Sequence, residues 1–323
     1  MKKISVIAIV FSSLAIIGQI FIFATTKNDP DETYRKALQA DYRVYCPVLP
    51  DSLSFCGETV PMDTYYVREG LDRELMVNMY WQSNMLLWMK RAGRYFPIIE
   101  PILKKNGMPE DLKYLCVIES GLLPVGSPAG AQGYWQFIKS TGLNYGLEIT
   151  DEIDMRNHIV LSTEAACRLL KKMYQRFGSW SIAAATYNLG ENGVAQRCTD
   201  QNIHNYWDLK MPNETTRYVY RILAVKMIMQ HPQAYGYMIR HSDLYPPIPT
   251  REVTLTGQNV DLYAFAKDNG STYKMLRDLN PWIQTDKLKN RGNKTYTVVL
   301  PAKSTSWEEI CKKRKDKRLV ERI

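Results

Sequence analysis

Histidine is scarce in this sequence, and the closely spaced motifs that build metal sites are absent from it. The 323 residues include 4 scattered histidines, and the 6 cysteines form no CxxC or Cys/His spacing. Zinc sites are usually assembled from ligands spaced in that way. We therefore predict no metal site, and we expect no cofactor.

Charge is missing from residues 4–23, which directly follow a positively charged start, MKK. An uncharged run of this length can span a bilayer, and it is long for the apolar core of a cleaved signal peptide. No cysteine that could carry a lipid lies near it. We expect residues 1–26 to be an uncleaved membrane anchor, with a cleaved signal peptide as the alternative. In both cases the positive start stays inside and the rest of the chain is exported.

The net charge of +9 favours an acidic binding partner. Nucleic acid, anionic lipid and anionic cell-wall polymers all carry that charge, but the export signal argues against nucleic acid. Residues 304–323 form a tail that is rich in lysine and arginine. Such a run is either a solvated chain end or a contact with a polyanion, and the sequence leaves both interpretations open.

Cysteines in an exported chain often form disulfides. Cys46 and Cys56 flank a short loop that contains proline, so we predict that these two pair. Cys116 and Cys167 lie on the apolar faces of predicted helices, which indicates buried thiols. The remaining two cysteines have no partner that the sequence suggests.

Strand patterns are not found between residues 70 and 240. Residues 27–70 show no sustained period and contain several prolines, which indicates a linker or a strap lying on the main domain. Residues 71–240 instead repeat apolar residues at helical spacing. We predict a mainly α domain here, in which one helix stops near Gly93 and the next begins at Pro97.

Ser162 and Asn213 have side chains that favour helix N-termini, so we expect further helices to begin there. The pattern changes after a proline-rich linker at residues 245–249. Residues 250–303 carry strand, helix, helix and strand patterns in this order, which predicts a small separate module. The predicted fold class is therefore mainly α, with a helical domain followed by a β-α-α-β module.

An acid lies near the end of a short predicted helix that runs up to Ser120. Leu112, Leu115, Cys116 and Glu119 follow one another at helical spacing and share one face. A carboxylate on an apolar face costs stability unless it is paired or used. Either an Arg or Lys pairs with Glu119, or Glu119 is a general acid whose pKa is raised by apolar walls. A loop rich in glycine and proline follows, and we expect it to pass over this acid.

Three short stretches carry the candidate chemistry. They are Glu119-Ser120, Gly133-Tyr134-Trp135-Gln136-Phe137 and Ala185-Thr186-Tyr187-Asn188-Leu189-Gly190. In this order they resemble the lytic murein transglycosylases, in particular their membrane-bound D-type branch, whose fold is like that of goose-type lysozyme. The resemblance covers roughly residues 72–238. Residues 250–303 resemble, more loosely, a LysM repeat, which binds glycan in that family.

This resemblance implies cleavage of the β-1,4 bond between N-acetylmuramic acid and N-acetylglucosamine in peptidoglycan glycan strands, leaving a 1,6-anhydro end. Glu119 would act first as general acid and then as base, because the C6 hydroxyl of the substrate replaces water as the nucleophile. Ser127, Gln136, Tyr187 and Asn188 would bind the sugars or orient Glu119. The resemblance also implies a location in the cell envelope or periplasm.

Two other functions remain open at this point. A hydrolase of the lysozyme type would use water as the nucleophile and would need a second acid near Glu119. The candidates for that acid are Glu148, Asp151, Glu152 and Asp154. A non-catalytic wall-binding protein would use the helical domain only as a scaffold. The chemical form of the released sugar end tests the first alternative, and the effect of Glu119→Gln on peptidoglycan release tests the second.

Overall fold

The computed structural model describes residues 44–302 and 316–323, together with Glu32, Lys36 and Ile310. The chain divides into two compact units, Met1–Cys46 and Pro47–Ile323. In the first unit, Lys36 and Glu32 form an exposed ion pair at 2.9 Å. The expected anchor at residues 4–23 lies outside the described residues. Among those that are described, no helix is both long and apolar enough to cross a membrane.

The second unit is built mainly from α-helices, which confirms the predicted fold class. In the described part of the chain these helices are α1 (Tyr65–Tyr80), α2 (Gln82–Lys105), α3 (Lys113–Ser120), α4 (Lys139–Asn144), α5 (Ile159–Phe177), α6 (Trp180–Leu189), α7 (Glu191–Gln201), α8 (Asn213–Gln230), α9 (Leu262–Asp268) and α10 (Tyr273–Leu279). Helix α8 is the centre of the helical domain and packs against α1, α3 and α6. Its apolar residues are buried on nearly every side, which is typical of a central helix surrounded by others.

The predicted break between Gly93 and Pro97 is wrong, because α2 continues through both residues and through Pro101. Both prolines face solvent, while the apolar face of the helix packs into the core. Gly93 is required instead because the segment at Leu244 passes close to the α2 backbone. A Cβ atom there would lie 2.8 Å from the Cβ of Leu244, which crosses the helix at this point. The change of direction falls earlier, at Trp81 between α1 and α2.

The predicted N-terminus at Ser162 is also wrong. Helix α5 begins at Ile159 and is capped by His158, whose side chain accepts a hydrogen bond from the Leu161 N–H. Ser162 is buried inside the helix and its hydroxyl donates to the His158 carbonyl at 2.8 Å. Asn213 is the first residue of α8, with Pro212 in the capping position.

Residues 70–240, all of which the structure describes, contain isolated β-bridges but no strand, as predicted. The segment before them is less irregular than we expected. Strands β1 (Leu53–Phe55) and β2 (Glu58–Val60) form an antiparallel hairpin. Phe55 is fully buried in the helical core, and the Glu58 carboxylate accepts hydrogen bonds from the N-terminus of α6. The hairpin is therefore part of the helical domain.

The predicted Cys46–Cys56 disulfide is not formed, and both residues are free thiols. Cys56 occupies the turn of the hairpin, where it packs against the core and its N–H donates to Asp111 at 2.8 Å. Cys46 is exposed. Cys116 and Cys167 are buried free thiols, as predicted.

The C-terminal module has the predicted β-α-α-β order. Strands β3 (Thr250–Leu255) and β6 (Tyr296–Pro301) pair in antiparallel register, with α9 and α10 between them in sequence. A second small pair, β4 (Val260–Asp261) with β5 (Lys287–Leu288), was not predicted.

The described end of the basic tail, residues 316–323, is packed rather than solvated. Val320 is buried, and its N–H donates to the Ile239 carbonyl at 2.8 Å. The Ile323 N–H donates to the carbonyl of Met229 at 2.9 Å. These bonds attach the end of the chain to the helical domain, while Lys317, Arg318 and Arg322 remain exposed.

Candidate active site

Glu119 occupies the last turn of α3, whose preceding residues Leu115, Cys116 and Val117 are fully buried. The Glu119 side chain is thus set into the edge of the core, where it retains partial contact with solvent. Burial of a carboxyl group disfavours its charged form. This burial raises the pKa of Glu119 from its ordinary value of 4.5 to about 7.

Two groups on α8 oppose the effect of burial on Glu119. The Tyr218 hydroxyl donates a hydrogen bond to Oε1 of Glu119 and lowers its pKa, and the positive charge of Arg221 lowers it further. The charge of Glu214 raises it. The bonded partner of Glu119 is therefore a hydroxyl group, and the interpretation of Glu119 as one half of an ion pair does not describe its contacts.

The turn of α8 that presents Tyr218 is held by a buried acid, Glu74 of α1. The Glu74 carboxylate accepts from Nε of Arg217 at 2.6 Å and from Nε of Arg221 at 3.5 Å, and it also pairs with Arg73. Glu74 is fully buried, so these guanidinium groups supply the partners that a buried charge requires. The sequence analysis missed Glu74, although its helical spacing from Leu71 places a glutamate on the apolar face of α1.

Gln136 lies in the loop beyond Glu119 and has a left-handed backbone conformation, with φ of 50°. Its Nε2 donates to the carbonyls of Val125 at 2.7 Å and Gly133 at 2.8 Å. Both amide hydrogens are thereby used within the loop, which leaves the amide oxygen as the group able to accept from a ligand. Gly133 is necessary here because a Cβ atom would overlap the backbone carbonyl of Arg156.

Tyr187 and Asn188 end helix α6, whose residues Ala183, Ala184 and Ala185 are fully buried and allow close packing. The Tyr187 hydroxyl donates to the Trp135 carbonyl at 2.5 Å. Oδ1 of Asn188 accepts from the Thr215 hydroxyl at 2.8 Å, so the amide nitrogen of Asn188 is the group available to a ligand.

Gln136, Tyr187 and Asn188 line one cavity of about 750 Å³, a volume in the range of ligand sites. Glu119 and Ser127 are not among its lining residues. Burial raises the pKa of Tyr187 well above its ordinary value, and the charge of Glu119 raises it further, which indicates that this cavity residue lies near the acid. Ser127 closes a turn instead, because its Oγ accepts from the Ala131 N–H at 3.0 Å. The structure therefore brings three of the five predicted residues to one cavity, whereas Glu119 and Ser127 do not line it.

The four candidates for the second acid of a hydrolase have the following surroundings. Glu148 accepts from the Tyr296 hydroxyl at 3.0 Å, and Glu152 accepts from backbone N–H groups of the C-terminal module. Asp154 pairs with Arg156 at 2.6 Å, and Asp151 is exposed.

Within the described residues, no group of three or more His, Cys, Asp or Glu side chains could hold a metal ion.

Comparison with known protein families gives two matches. Residues 96–209 match the family described as Transglycosylase SLT domain, and residues 251–304 match the soluble lytic transglycosylase C-terminal LysM-like domain. These matches confirm the resemblance that the sequence motifs indicate.

Three curated proteins are similar to this chain. Two are named membrane-bound lytic murein transglycosylase D, from Escherichia coli strains K12 and O6:H1 (CFT073), and each is 33% identical over 202 residues. The alignment covers 60% of this chain but 44% of each relative, so the chain spans less than half of their length. A protein named for tributyltin chloride resistance, from Alteromonas sp. strain M-1, is 32% identical over 124 residues, which are 37% of this chain and 59% of that protein.

Proposed function

We propose that this chain, in which a transglycosylase SLT domain is followed by a LysM-like domain, is a peptidoglycan lytic transglycosylase. Its substrate is the β-1,4 bond between N-acetylmuramic acid and N-acetylglucosamine, and its product carries a 1,6-anhydromuramic end. The observation that carries this proposal is a single carboxyl group, Glu119, whose pKa is raised by burial to about 7. Its charge acts on Tyr187, which lines a cavity together with other hydroxyl and amide groups.

The chemistry requires one group that first gives and then takes a proton. Protonated Glu119 donates its proton to the glycosidic oxygen as the bond from this oxygen to C1 breaks. The C6 hydroxyl of the muramic acid then attacks C1 and closes the anhydro ring, and its proton passes to the Glu119 carboxylate. The enzyme ends in its starting protonation state. A pKa near the working pH suits both transfers, because proton transfer is most effective under that condition.

Two features support a transglycosylase over a hydrolase. An inverting or retaining hydrolase needs a second carboxylate to activate water or to act as nucleophile. Three of the four candidate acids, Glu148, Glu152 and Asp154, are bonded to other groups of the protein. Glu214, whose charge does reach Glu119, pairs with Arg221 at 3.0 Å.

The remaining site residues have roles that follow from their unused polar atoms. The amide oxygen of Gln136 and the amide nitrogen of Asn188 face a sugar as acceptor and donor, respectively. Tyr187 lines the same cavity, and its hydroxyl holds the Trp135 carbonyl. Ser127 affects substrate binding indirectly, through the turn that its Oγ closes by accepting from the Ala131 N–H.

The decisive experiment measures the sugar end released from purified glycan strands by mass spectrometry. An anhydro end is lighter than a reducing end by one water, so the two reactions are distinguished directly. Glu119→Gln should lower the rate by about 10²–10⁴-fold, the usual contribution of general acid–base catalysis. Glu69→Gln, which alters an exposed carboxylate on α1, is the matched control. A reducing end would replace the transglycosylase with a hydrolase, and unchanged release by Glu119→Gln would leave a wall-binding protein.

The location of the enzyme follows from the same assignment. Peptidoglycan is the substrate, so we place the protein in the cell envelope, with residues 4–23 as its membrane anchor. The name of the Escherichia coli relatives, which describes them as membrane-bound, supports this. We retain residues 71–240 as the body of the helical domain, to which the hairpin and the start of α1 also belong, and residues 250–303 as the second domain. Membrane fractionation of the full chain and of a chain lacking residues 1–26 tests the anchor, which is excluded if both chains are found in the same soluble fraction.

A further inference from the structure

The C-terminal module is attached to the helical domain by a second contact in addition to its linker. Ile153 of the helical domain and Ile283 of the module form a β-bridge, and both side chains are buried. On either side of the bridge, the Asp154 N–H donates to the Trp282 carbonyl and the Gln284 N–H donates to the Glu152 carbonyl, both at 2.8 Å. The two domains therefore share a short stretch of backbone pairing.

Acidic side chains of the helical domain secure this contact. Oε1 of Glu152 accepts from the Lys289 N–H at 3.0 Å, and Oε2 accepts from the Asn290 N–H at 3.2 Å. Glu148 accepts from the Tyr296 hydroxyl and pairs with Lys294, both at 3.0 Å. Hydrogen bonds to a charged acceptor are stronger than neutral ones, so the module is held in one orientation.

The same segment of the helical domain supports the loop of the candidate active site. The buried carboxylate of Asp154 binds the buried guanidinium of Arg156 at 2.6 Å. Nη1 of Arg156 donates to the carbonyls of Phe137 at 3.0 Å and Gly130 at 3.2 Å. These carbonyls belong to residues 125–137, the loop that carries Ser127 and Gln136.

A second bond reinforces this support. Nε2 of Gln132 donates to Oδ1 of the buried Asn157 at 2.9 Å, and Gly133 lies directly against the Arg156 backbone. The loop therefore rests on residues 154–157, and the preceding residues 148–154 rest on the module. A buried guanidinium cannot move alone, because its charge has to keep its partners.

We propose that the C-terminal module is a positioning element for catalysis, and that Arg156 is the positioning residue through which it acts. Docking at Glu152 fixes residues 148–157, and Arg156 passes that constraint to the loop that presents Gln136. The inference rests on the proposed function for its kinetic consequences. It differs from a role in which the module only tethers the enzyme to a large substrate and so raises its effective concentration.

Saturating kinetics on short substrates separate these two roles. A tether raises affinity for large sacculi and leaves kcat on short soluble strands unchanged. We would use strands of two disaccharide units with the full chain and with Glu152→Ala. We expect kcat to fall about 10- to 100-fold, the range that follows a misplacement of about 1 Å, with KM changed less. Glu252→Ala removes an exposed carboxylate from β3 of the same module and should leave kcat unchanged.

Arg156→Lys gives an independent variant. It keeps the charge beside Asp154 but loses the planar fork that reaches two carbonyls, so kcat should fall as in Glu152→Ala. Hydrogen exchange provides a readout that needs no activity. Amides of residues 125–137 should exchange faster in Glu152→Ala, while those in the middle of α8 stay protected, which shows that the domain remains folded.

The proposal is overturned if kcat of Glu152→Ala on short strands equals that of Glu252→Ala. It is also overturned if faster exchange is confined to residues 148–154 and 281–290, without reaching the loop. Failure of the proposed function gives a different result, because the unaltered chain would then release no sugar product or one with a reducing end. The exchange experiment would still report the coupling in either case.

Discussion

Replacement of Tyr218 by phenylalanine tests how the candidate acid is tuned. The Tyr218 hydroxyl donates to Oε1 of Glu119 where α8 packs against α3. Phenylalanine keeps the ring and removes only the hydroxyl. The Glu119 carboxylate would lose its one hydrogen-bond donor among the described side chains, while its burial would persist.

The size of the effect follows from the energy of that bond. A hydrogen bond to a charged group contributes about 1.5–3 kcal/mol, and a change of one in pKa corresponds to about 1.4 kcal/mol. Loss of the bond should therefore raise the pKa of Glu119 by about one to two, from about 7 toward 8 or 9. Protonated Glu119 is needed for the first proton transfer, so the alkaline limb of the pH–rate profile should move up by that amount.

The assay is the rate of product release from soluble glycan strands between pH 5 and pH 10. Tyr220→Phe is the matched control, since Tyr220 is a buried tyrosine two residues further along the same helix and does not bond to Glu119. We expect Tyr218→Phe to move the alkaline limb and the control to leave it in place. An alkaline limb that stays in place, or moves to lower pH, in Tyr218→Phe would refute this account of the acid.

Three further predictions concern stability and thiol chemistry. Because burial raises the pKa of Glu119 to about 7, the stability linked to its protonated form is complete below pH 4.5 and is lost as the pH rises through 7. Glu119→Gln should therefore be more stable than the unaltered chain at pH 8 by up to about 3 kcal/mol, and this difference should be smaller at pH 5. Urea unfolding at both pH values measures the difference, and an equal value at both would contradict the prediction. Glu74→Ala should destabilise the chain by about 1.5–3 kcal/mol, because it removes the charged acceptor to which the partly exposed Arg217 and Arg221 donate. Thermal unfolding with Glu69→Ala as the control tests this, and equal midpoints would refute it. Non-reducing peptide mapping should recover Cys46 and Cys56 as free thiols. Alkylation of the folded chain should modify exposed Cys46 first, because burial raises the pKa of Cys56. Recovery of a disulfide-linked Cys46–Cys56 peptide would restore the original pairing.

The features that could be predicted from the sequence are those with a local cause. Helical spacing identified the face that ends at Glu119, and the order of patterns after residue 249 identified the β-α-α-β module. Each depends on neighbouring residues within one element, so a single stretch of sequence contains the information.

The features that were missed depend on partners far along the chain. In the sequence, Gly93 indicates a helix end. The structure shows that it is needed because Leu244 crosses α2 at that point. Glu74 meets Arg217 across 143 positions, and Glu152 meets the Lys289 N–H across 137. The Cys46–Cys56 prediction failed for a related reason, because proximity in sequence does not outweigh the packing of Cys56 against the core.

One carboxyl group can serve both steps of the proposed reaction only if its proton is neither too loosely nor too firmly held. Burial alone favours the neutral acid, and a more deeply buried Glu119 would donate poorly. The donation from Tyr218 and the charge of Arg221 offset part of that burial. Because Tyr218 donates to Oε1, the proposed reaction would use Oε2 as the oxygen through which the proton leaves and returns. A water nucleophile would call for another carboxylate, yet Glu148 and Glu152 already bind the C-terminal module. The contacts that dock the module thus engage two of the candidates for a hydrolase's second acid, so loss of docking and gain of hydrolysis should be examined together in Glu152 variants.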